Sequence, residues 1–215
     1  MPKALDEGTA MKGVSLHVGT GMPLRRDDVD TDQIAPARFV PYFRPTGYTN
    51  ILFADWRDSA DFVLNLPQYQ GATVLVAGKD FGTGSSRESA VWAIQHAGFK
   101  AVIVERFGDI FAGNALTKGL LTVTASEEVV HDLWEAIEAD PWLPISVDVE
   151  HRELRYSRSI VAYDIDDAAR HRLMNGSDSI ADTLAYEQDI LSFERNRRSR
   201  CEPAVPSGGA DGTFA

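Results

Sequence analysis

Val74–Ala77 and Ala101–Val104 are short, unbroken apolar runs bounded by glycine or charge. Strands buried on both faces have this pattern, because neither side of them meets water. Between the two runs, Ala90, Val91, Ile94 and Ala97 fall at helical spacing within and just after Ser86–His96. The stretch therefore predicts strand, glycine-rich turn, helix and strand, which is a βαβ unit. Ser126 followed by Glu127 and Glu128 predicts a helix N-cap with an acidic first turn, and Val130, Trp134 and Ile137 continue one apolar face. Ile145–Val149 and Glu153–Tyr156 predict paired strands, Val14–Val18 a strand, and Asp166–Met174 and Ile180–Arg195 helices. Arg38–Trp56 is long, aromatic and broken by Pro41, Pro45 and Gly47; loops of that length inside a compact domain tend to carry function.

Composition narrows the class. With 215 residues, 44% of them hydrophobic, the chain is sized for one compact domain. The expected organisation is a flexible N-terminal segment over 1–11, one domain over 12–200 and a disordered tail over 201–215, where Pro, Gly and Ser dominate from Pro203 onward. No apolar run approaches the ~20 residues of a membrane span, and Met1–Ala10 lacks the order of a signal peptide, so a cytoplasmic protein is expected. The formal net charge of −11 opposes binding to a phosphate backbone. The basic cluster Arg195, Arg197, Arg198 and Arg200 reads as a solvated helix end, with cations placed favourably against the helix dipole. The single cysteine, Cys201, makes no internal disulfide and cannot alone hold zinc or an iron–sulfur cluster. His17, His96, His131, His151 and His171 are scattered without ligand spacing. No metal site is expected in this chain, and any metal chemistry has to borrow ligands from another one.

The chemistry concentrates in Gly78-Lys79-Asp80-Phe81-Gly82-Thr83-Gly84-Ser85-Ser86-Arg87-Glu88, where a buried strand hands over to a helix. Glycines let backbone approach a ligand, and the free N–H groups of a helix's first turn form a carboxylate or phosphate site. Arg87 adds a planar fork suited to a carboxylate. Ser85 and Ser86 add hydroxyls that bind the same anion or move a proton. The loop is neither a Walker A loop, since no Gly-Lys-Ser/Thr follows, nor a Gly-x-Ser-x-Gly elbow. Taken as an isolated pattern it also fits a plain tight turn with Ser86 as N-cap.

The full string Asp80–Glu88 resembles the signature of the swivelling domain of the aconitase superfamily, and within it the bacterial 3-isopropylmalate dehydratase small-subunit family. The resemblance extends through Pro23-Leu24, Val29-Asp30-Thr31-Asp32-Gln33-Ile34, Pro36-Ala37-Arg38-Phe39, Thr46-Gly47 and Phe107-Gly108-Asp109-Ile110-Phe111 with Asn114, over roughly Val14 to Glu194. It implies an α/β fold of the aconitase swivelling type, with stacked β layers flanked by helices, docked as a mobile lid on a large subunit. It implies that this partner carries a [4Fe–4S] cluster, with no cofactor in the chain itself. The implied reaction removes water from a small 2-hydroxy dicarboxylic acid and adds it back the other way round, converting 2-isopropylmalate to 3-isopropylmalate in leucine biosynthesis.

By the same resemblance Ser85 is the base, acting as an alkoxide, which demands strong local stabilisation. A helix N-terminus, Arg87 and a desolvated cleft all favour an oxyanion there. Arg87 holds a substrate carboxylate, assisted by Ser86. Asp32 lies at the site's edge and orients partner groups, with an Asx turn as its plainer reading; Thr31 shapes the same turn. Arg44 corresponds to a second carboxylate-binding arginine, against the alternative of an exposed loop residue. Asp109 and Asn114 are expected to fix the Phe-Gly-Asp-Ile-Phe turn.

The sequence departs from the family where Ser89 replaces a histidine and where Pro41-Tyr42-Phe43-Arg44-Pro45 replaces basic and small polar residues. Tyr42 and Phe43 offer aromatic surface, which leaves a methyl- or benzyl-substituted malate open as the substrate. Two readings of other classes remain: a non-catalytic RNA-binding module, opposed by the acidic charge, and a stand-alone serine hydrolase, opposed by the lack of a histidine partner.

Overall fold

The computed structural model describes residues 13–42, 51–177, 183–184 and 186–198. The expected flexible segment 1–11, the expected tail 201–215, and Phe43 and Arg44 lie outside them. Two compact units are present, Met1–Asp178 and Ser179–Ala215.

The first unit is built on a seven-stranded mixed sheet in the order β4-β3-β2-β1-β5-β6-β7. The strands are β1 (Leu16–Leu24), β2 (Val74–Ala77), β3 (Ala101–Val104), β4 (Leu121–Thr124), β5 (Pro144–Asp148), β6 (Glu153–Tyr156) and β7 (Ser159–Ala162). Strands β4 to β1 run parallel, and β5 to β7 continue antiparallel. The α/β class with β layers flanked by helices holds, and the layers are two halves of one curled sheet. Its two halves use different stretches of the same strand. Leu16–Thr20 of β1 pairs with β5, and Gly21–Leu24 pairs with β2.

That division explains why β1 extends beyond the expected Val14–Val18. Pro23, which argues against a strand in sequence, lies where the pairing with β5 has already ended, so its missing N–H costs no ladder bond. The runs Val74–Ala77 and Ala101–Val104 are wholly buried, as their composition requires. Two further strands that the sequence reading did not assign, β4 and β7, lie at the two edges of the sheet.

The α-helices that matter here are α1 (Thr31–Ile34), α2 (Glu88–His96), α3 (Asp109–Thr117), α4 (Glu127–Ala139), α5 (Asp167–Asn175) and α6 (Glu187–Arg198). Ser126 caps α4 as expected, accepting from the Val129 N–H. Asp166 caps α5 by accepting from the Ala168 and Ala169 amides, and Gly176 closes that helix in the left-handed conformation. Helix α4 packs on β1 and β2, and Trp134 donates from Nε1 to the Val76 carbonyl at 2.9 Å, tying helix to sheet inside the core. Helices α2 and α3 pack together. In the second unit α6 exposes Ile190 and Phe193, and residues 183–184 are helical too, while 180–182 of the expected Ile180–Arg195 helix lie outside the described residues.

Candidate active site

Three loops meet beyond the carboxyl ends of β1, β2 and β3, the edge at which open α/β sheets place their ligands. The first loop leads from β1 into α1, whose N-cap is Asp30. Its carboxylate accepts from the Gln33 amide at 2.8 Å, and the Gln33 side chain accepts from the Asp30 amide at 2.9 Å, completing a capping box. The second loop, after β2, carries the glycines and serines. The third leads from β3 through Phe107 and Gly108 into α3.

Backbone hydrogen bonds lace the glycine loop between its neighbours. On one side the Asp28 amide donates to the Lys79 carbonyl (2.9 Å), the Gly82 amide to Val29 (2.7 Å) and the Thr31 amide to Thr83 (3.0 Å). On the other, the Phe81 amide donates to the Arg106 carbonyl (3.0 Å) and the Gly108 amide to Phe81 (2.9 Å). Phe81 anchors the loop from beneath. It is fully buried and meets the rings of Phe107 and Phe111 edge-on, at centroid distances of 6.4 and 5.5 Å. Gly82 permits this packing, since its φ is +76° and a Cβ there would stand 2.4 Å from Cγ of Phe111.

Ser85 and Ser86 ride on this scaffold at the surface. Both residues are exposed, and neither hydroxyl bonds to a described residue. Thr31 is 2% exposed and donates from Oγ1 to the Ser85 carbonyl at 2.8 Å, so the serine's backbone is held while its side chain stays free. Ser86 is not the cap of α2. Arg87 occupies the N-cap position and its side chain makes no capping bond; the Ala90 amide donates to the Arg87 carbonyl at 3.2 Å, and the amides of Glu88 and Ser89 are the ones left to face an anion. The plain capped-turn reading of the loop is thereby corrected: Ser86 is one residue too early to reach the amides it would cap.

The Arg87 guanidinium forms a close ion pair with Asp32; its side chain is 18% exposed against 53% for Asp32. Asp32 also accepts from the Ala37 amide at 3.0 Å, five residues on, which is not an Asx turn. The Arg87 guanidinium holds the Asp32 carboxyl below the usual carboxylate range, against a smaller opposing effect of burial and with help from the Ala37 amide. Thr31, Asp32, Ser85, Ser86 and Arg87 are therefore brought to one place, while Arg44 lies outside the described residues.

One expectation changes. Asp109 and Asn114 do not fix a turn: both lie in α3, with Asp109 in its first turn, where a carboxylate suits the dipole, and the Asn114 carbonyl accepting from the Thr117 hydroxyl. Asp80 and Arg106 were not singled out in the sequence, yet they form a two-point ion pair at the base of the loop. Their only sequence signal is the tolerance of aspartate for left-handed backbone.

Concavity does not mark this place. A cleft of about 340 Å³ lined by Asp30, Asp32, Arg38 and Trp56 adjoins it, and clefts of about 510 and 530 Å³ lie elsewhere, around Phe62 and around His17. Shape alone favours the wider two. Convergent chemistry favours the open serine loop, as expected of a site that one chain only half encloses.

Residues 11–128 match the model of the aconitase C-terminal domain family. A 3-isopropylmalate dehydratase small subunit of Streptomyces avermitilis is 51% identical over 189 residues, covering 88% of this chain and 96% of that one. The protein of the same name from Thermobifida fusca is 49% identical over 188 residues, covering 87% and 96%. A crystal structure of 3-isopropylmalate dehydratase from Methanocaldococcus jannaschii matches with a TM-score of 0.60 at 27% identity, covering 83% of this chain and 99% of that one.

Proposed function

The chain belongs to the aconitase C-terminal domain family and, within it, to the 3-isopropylmalate dehydratase small subunits, and from that premise we propose that it is the small subunit of a hydro-lyase interconverting 2-isopropylmalate and 3-isopropylmalate. It acts in leucine biosynthesis, in the cytoplasm, and only with a large subunit. Among the described residues no helix is long and apolar enough to cross a membrane.

The observation that carries the reading is the pairing of an exposed Ser85 with an uncapped helix start and the Arg87 guanidinium. In the dehydration direction Ser85 Oγ, as alkoxide, takes the proton from the carbon beside the one bearing the hydroxyl. The electrons of that C–H bond form the C=C bond as the neighbouring C–O bond breaks and its electron pair leaves with hydroxide; the H⁺ held on Ser85 and the departed OH⁻ together make up the one water lost from the substrate. Hydration returns the proton from Ser85 to carbon. Arg87 binds a substrate carboxylate with Ser86 and the first-turn amides of α2 beside it, Thr31 holds the Ser85 backbone, and Asp32 orients Arg87. Arg44 supplies a second cation for the dicarboxylate.

A [4Fe–4S] cluster does not fit this chain's donors. Such clusters take several cysteine thiolates, the only cysteine is Cys201, and among the described residues no three His, Cys, Asp or Glu side chains are grouped to hold a metal. The cluster belongs to the large subunit on this reading, and the steps assigned to this chain are anion binding and proton transfer.

The test is anaerobic co-production with a large subunit, followed by ultraviolet detection of unsaturated product formed from 2-isopropylmalate and from a benzyl-substituted malate, and of citraconate consumed by hydration. Turnover of 2-isopropylmalate that disappears in Ser85→Ala is expected. Turnover of another of the three in its place moves the substrate assignment, and a cluster-loaded complex inactive on all three refutes it.

A further inference from the structure

The glycine loop leaves β2 through a strained residue. Asp80 has a φ of +59°, a left-handed conformation unfavourable for a non-glycine residue, though less so for aspartate than for most. Arg106 grips it from the next loop. Nε donates to one carboxylate oxygen at 2.5 Å and Nη2 to the other at 2.7 Å, while the Arg106 carbonyl accepts from the Phe81 amide at 3.0 Å. Side chain and backbone of one arginine thus bracket the turn at which the loop begins, five residues before Ser85.

Global stability does not explain the arrangement. The Arg106 side chain is 72% exposed although Asp80 is only 20% exposed, and an ion pair with one partner so open to solvent contributes modestly to folding. A two-point fork does fix orientation, because neither rotation about the pair nor a swing of the turn can occur without breaking a bond. Arg106 also holds the Asp80 carboxyl below its usual range, so the pair stays charged at neutral pH.

We propose that Asp80 and Arg106 are positioning residues: their bidentate pair locks the left-handed turn from which the serine loop departs, and so sets where Ser85 Oγ stands when the large subunit closes over it. The inference rests on the assignment of Ser85 as the base.

The test uses the assembled enzyme with Arg106→Gln, Arg106→Lys, Asp80→Asn and Asp80→Gly, and Ser85→Ala as reference. A misplacement of about 1 Å is worth up to about 100-fold in rate. Arg106→Gln and Asp80→Gly are expected to lower kcat by about 10- to 100-fold, with KM and Tm unchanged. Asp80→Asn, which keeps the left-handed turn and an acceptor, recovers part of the loss, and Arg106→Lys, which keeps charge without the fork, recovers less. Asp80→Gly adopts the turn freely, so wild-type kcat in that variant overturns the proposal. So does a loss that vanishes at saturating small subunit, which is a docking effect.

Failure of the function reading is separable. If the wild-type complex is inactive or Ser85→Ala retains turnover, that reading falls, and the positioning pair is then judged by amide exchange in the free chain. Arg106→Gln must accelerate the amides at 81 and 108, which bond across the two loops, and leave those of β2 and β3 unchanged. Unchanged exchange at 81 and 108 overturns it.

Discussion

Replacing Thr31 by valine removes one hydrogen-bond donor and one acceptor with a nearly isosteric side chain at a position 2% exposed. The lost bond, from Oγ1 to the Ser85 carbonyl at 2.8 Å, joins residues 54 apart in sequence. A neutral bond of this kind contributes about 1 kcal/mol net. The full penalty for a stranded buried acceptor does not apply, because Ser85 is exposed and the bond is only part-buried. The buried methyl that replaces the hydroxyl returns part of that amount, since apolar burial is favourable. Global stability should therefore move little, within the ~2–4 °C in Tm that 1 kcal/mol is worth in a chain of this size. The local effect is larger: about 1 kcal/mol shifts the opening equilibrium of the loop roughly fivefold. Amide exchange read by NMR should show it at residue 31 and Gly82, whose N–H groups bond to Thr83 and Val29. Thr31→Ser keeps the hydroxyl and should exchange as wild type. If Thr31→Val also exchanges as wild type at both amides, Thr31 does not hold the serine loop.

The aromatic seat of the loop gives a contrast between two glycines. Gly82→Ala meets the Phe111 ring at 2.4 Å as well as carrying a left-handed φ, and overpacking with backbone strain should cost about 2–5 kcal/mol in thermal unfolding. Gly84→Ala has its nearest neighbour at 3.5 Å and should cost only the left-handed backbone, about 1–2 kcal/mol. Trp134→Phe removes the hydrogen bond to the Val76 carbonyl and leaves a void, so a loss of about 2 kcal/mol, or about 4–8 °C in Tm, is expected. Tyr163 is pushed up from 10.0 to about 12, chiefly by burial, and donates to the Asp148 carbonyl at 3.1 Å. A phenol with a higher pKa folded than unfolded stabilises fully below the unfolded value, and that contribution is lost as pH rises through the folded one. Denaturant titrations of Tyr163→Phe should thus show lower stability at neutral pH and a flatter decline between about 10 and 12; an unchanged alkaline slope counts against it.

What could be seen in the sequence was whatever is decided locally. The runs at Val74 and Ala101 admit no solvent on either face and so could only be buried strands, and Ser126 before two glutamates could hardly start anything but a helix. The loop signature gave the serines, Arg87 and their neighbourhood at a helix start. What stayed hidden was decided by partners far along the chain. Pro23 fits a strand only because the β5 pairing stops at Thr20. Leu121–Thr124, with one polar residue in each pair, becomes a strand by lying beside β3. Ser86 looked like a cap because serine usually is one, yet the chain turns one residue later. The pairs Thr31–Ser85, Asp32–Arg87 and Asp80–Arg106 span 54, 55 and 26 positions, and no spacing rule reaches across such gaps.

An exposed serine hydroxyl is a very poor base: its pKa lies far above neutrality, and water screens the dipole and the guanidinium that would favour the anion. In this chain Arg87 is in addition already matched by Asp32. The backbone of the site is thus finished while its electrostatics are not, and a covering surface changes both terms. Exclusion of water strengthens the fixed donors around Oγ, and a substrate carboxylate competes with Asp32 for Arg87. It follows that Ser85 should be chemically silent until the large subunit is present. Hydrolysis of p-nitrophenyl acetate by the purified chain should proceed at the same rate in wild type and in Ser85→Ala. A rate that depends on Ser85 in the free chain would mean that the serine is already activated, and the division of the site between two subunits would no longer explain its exposure.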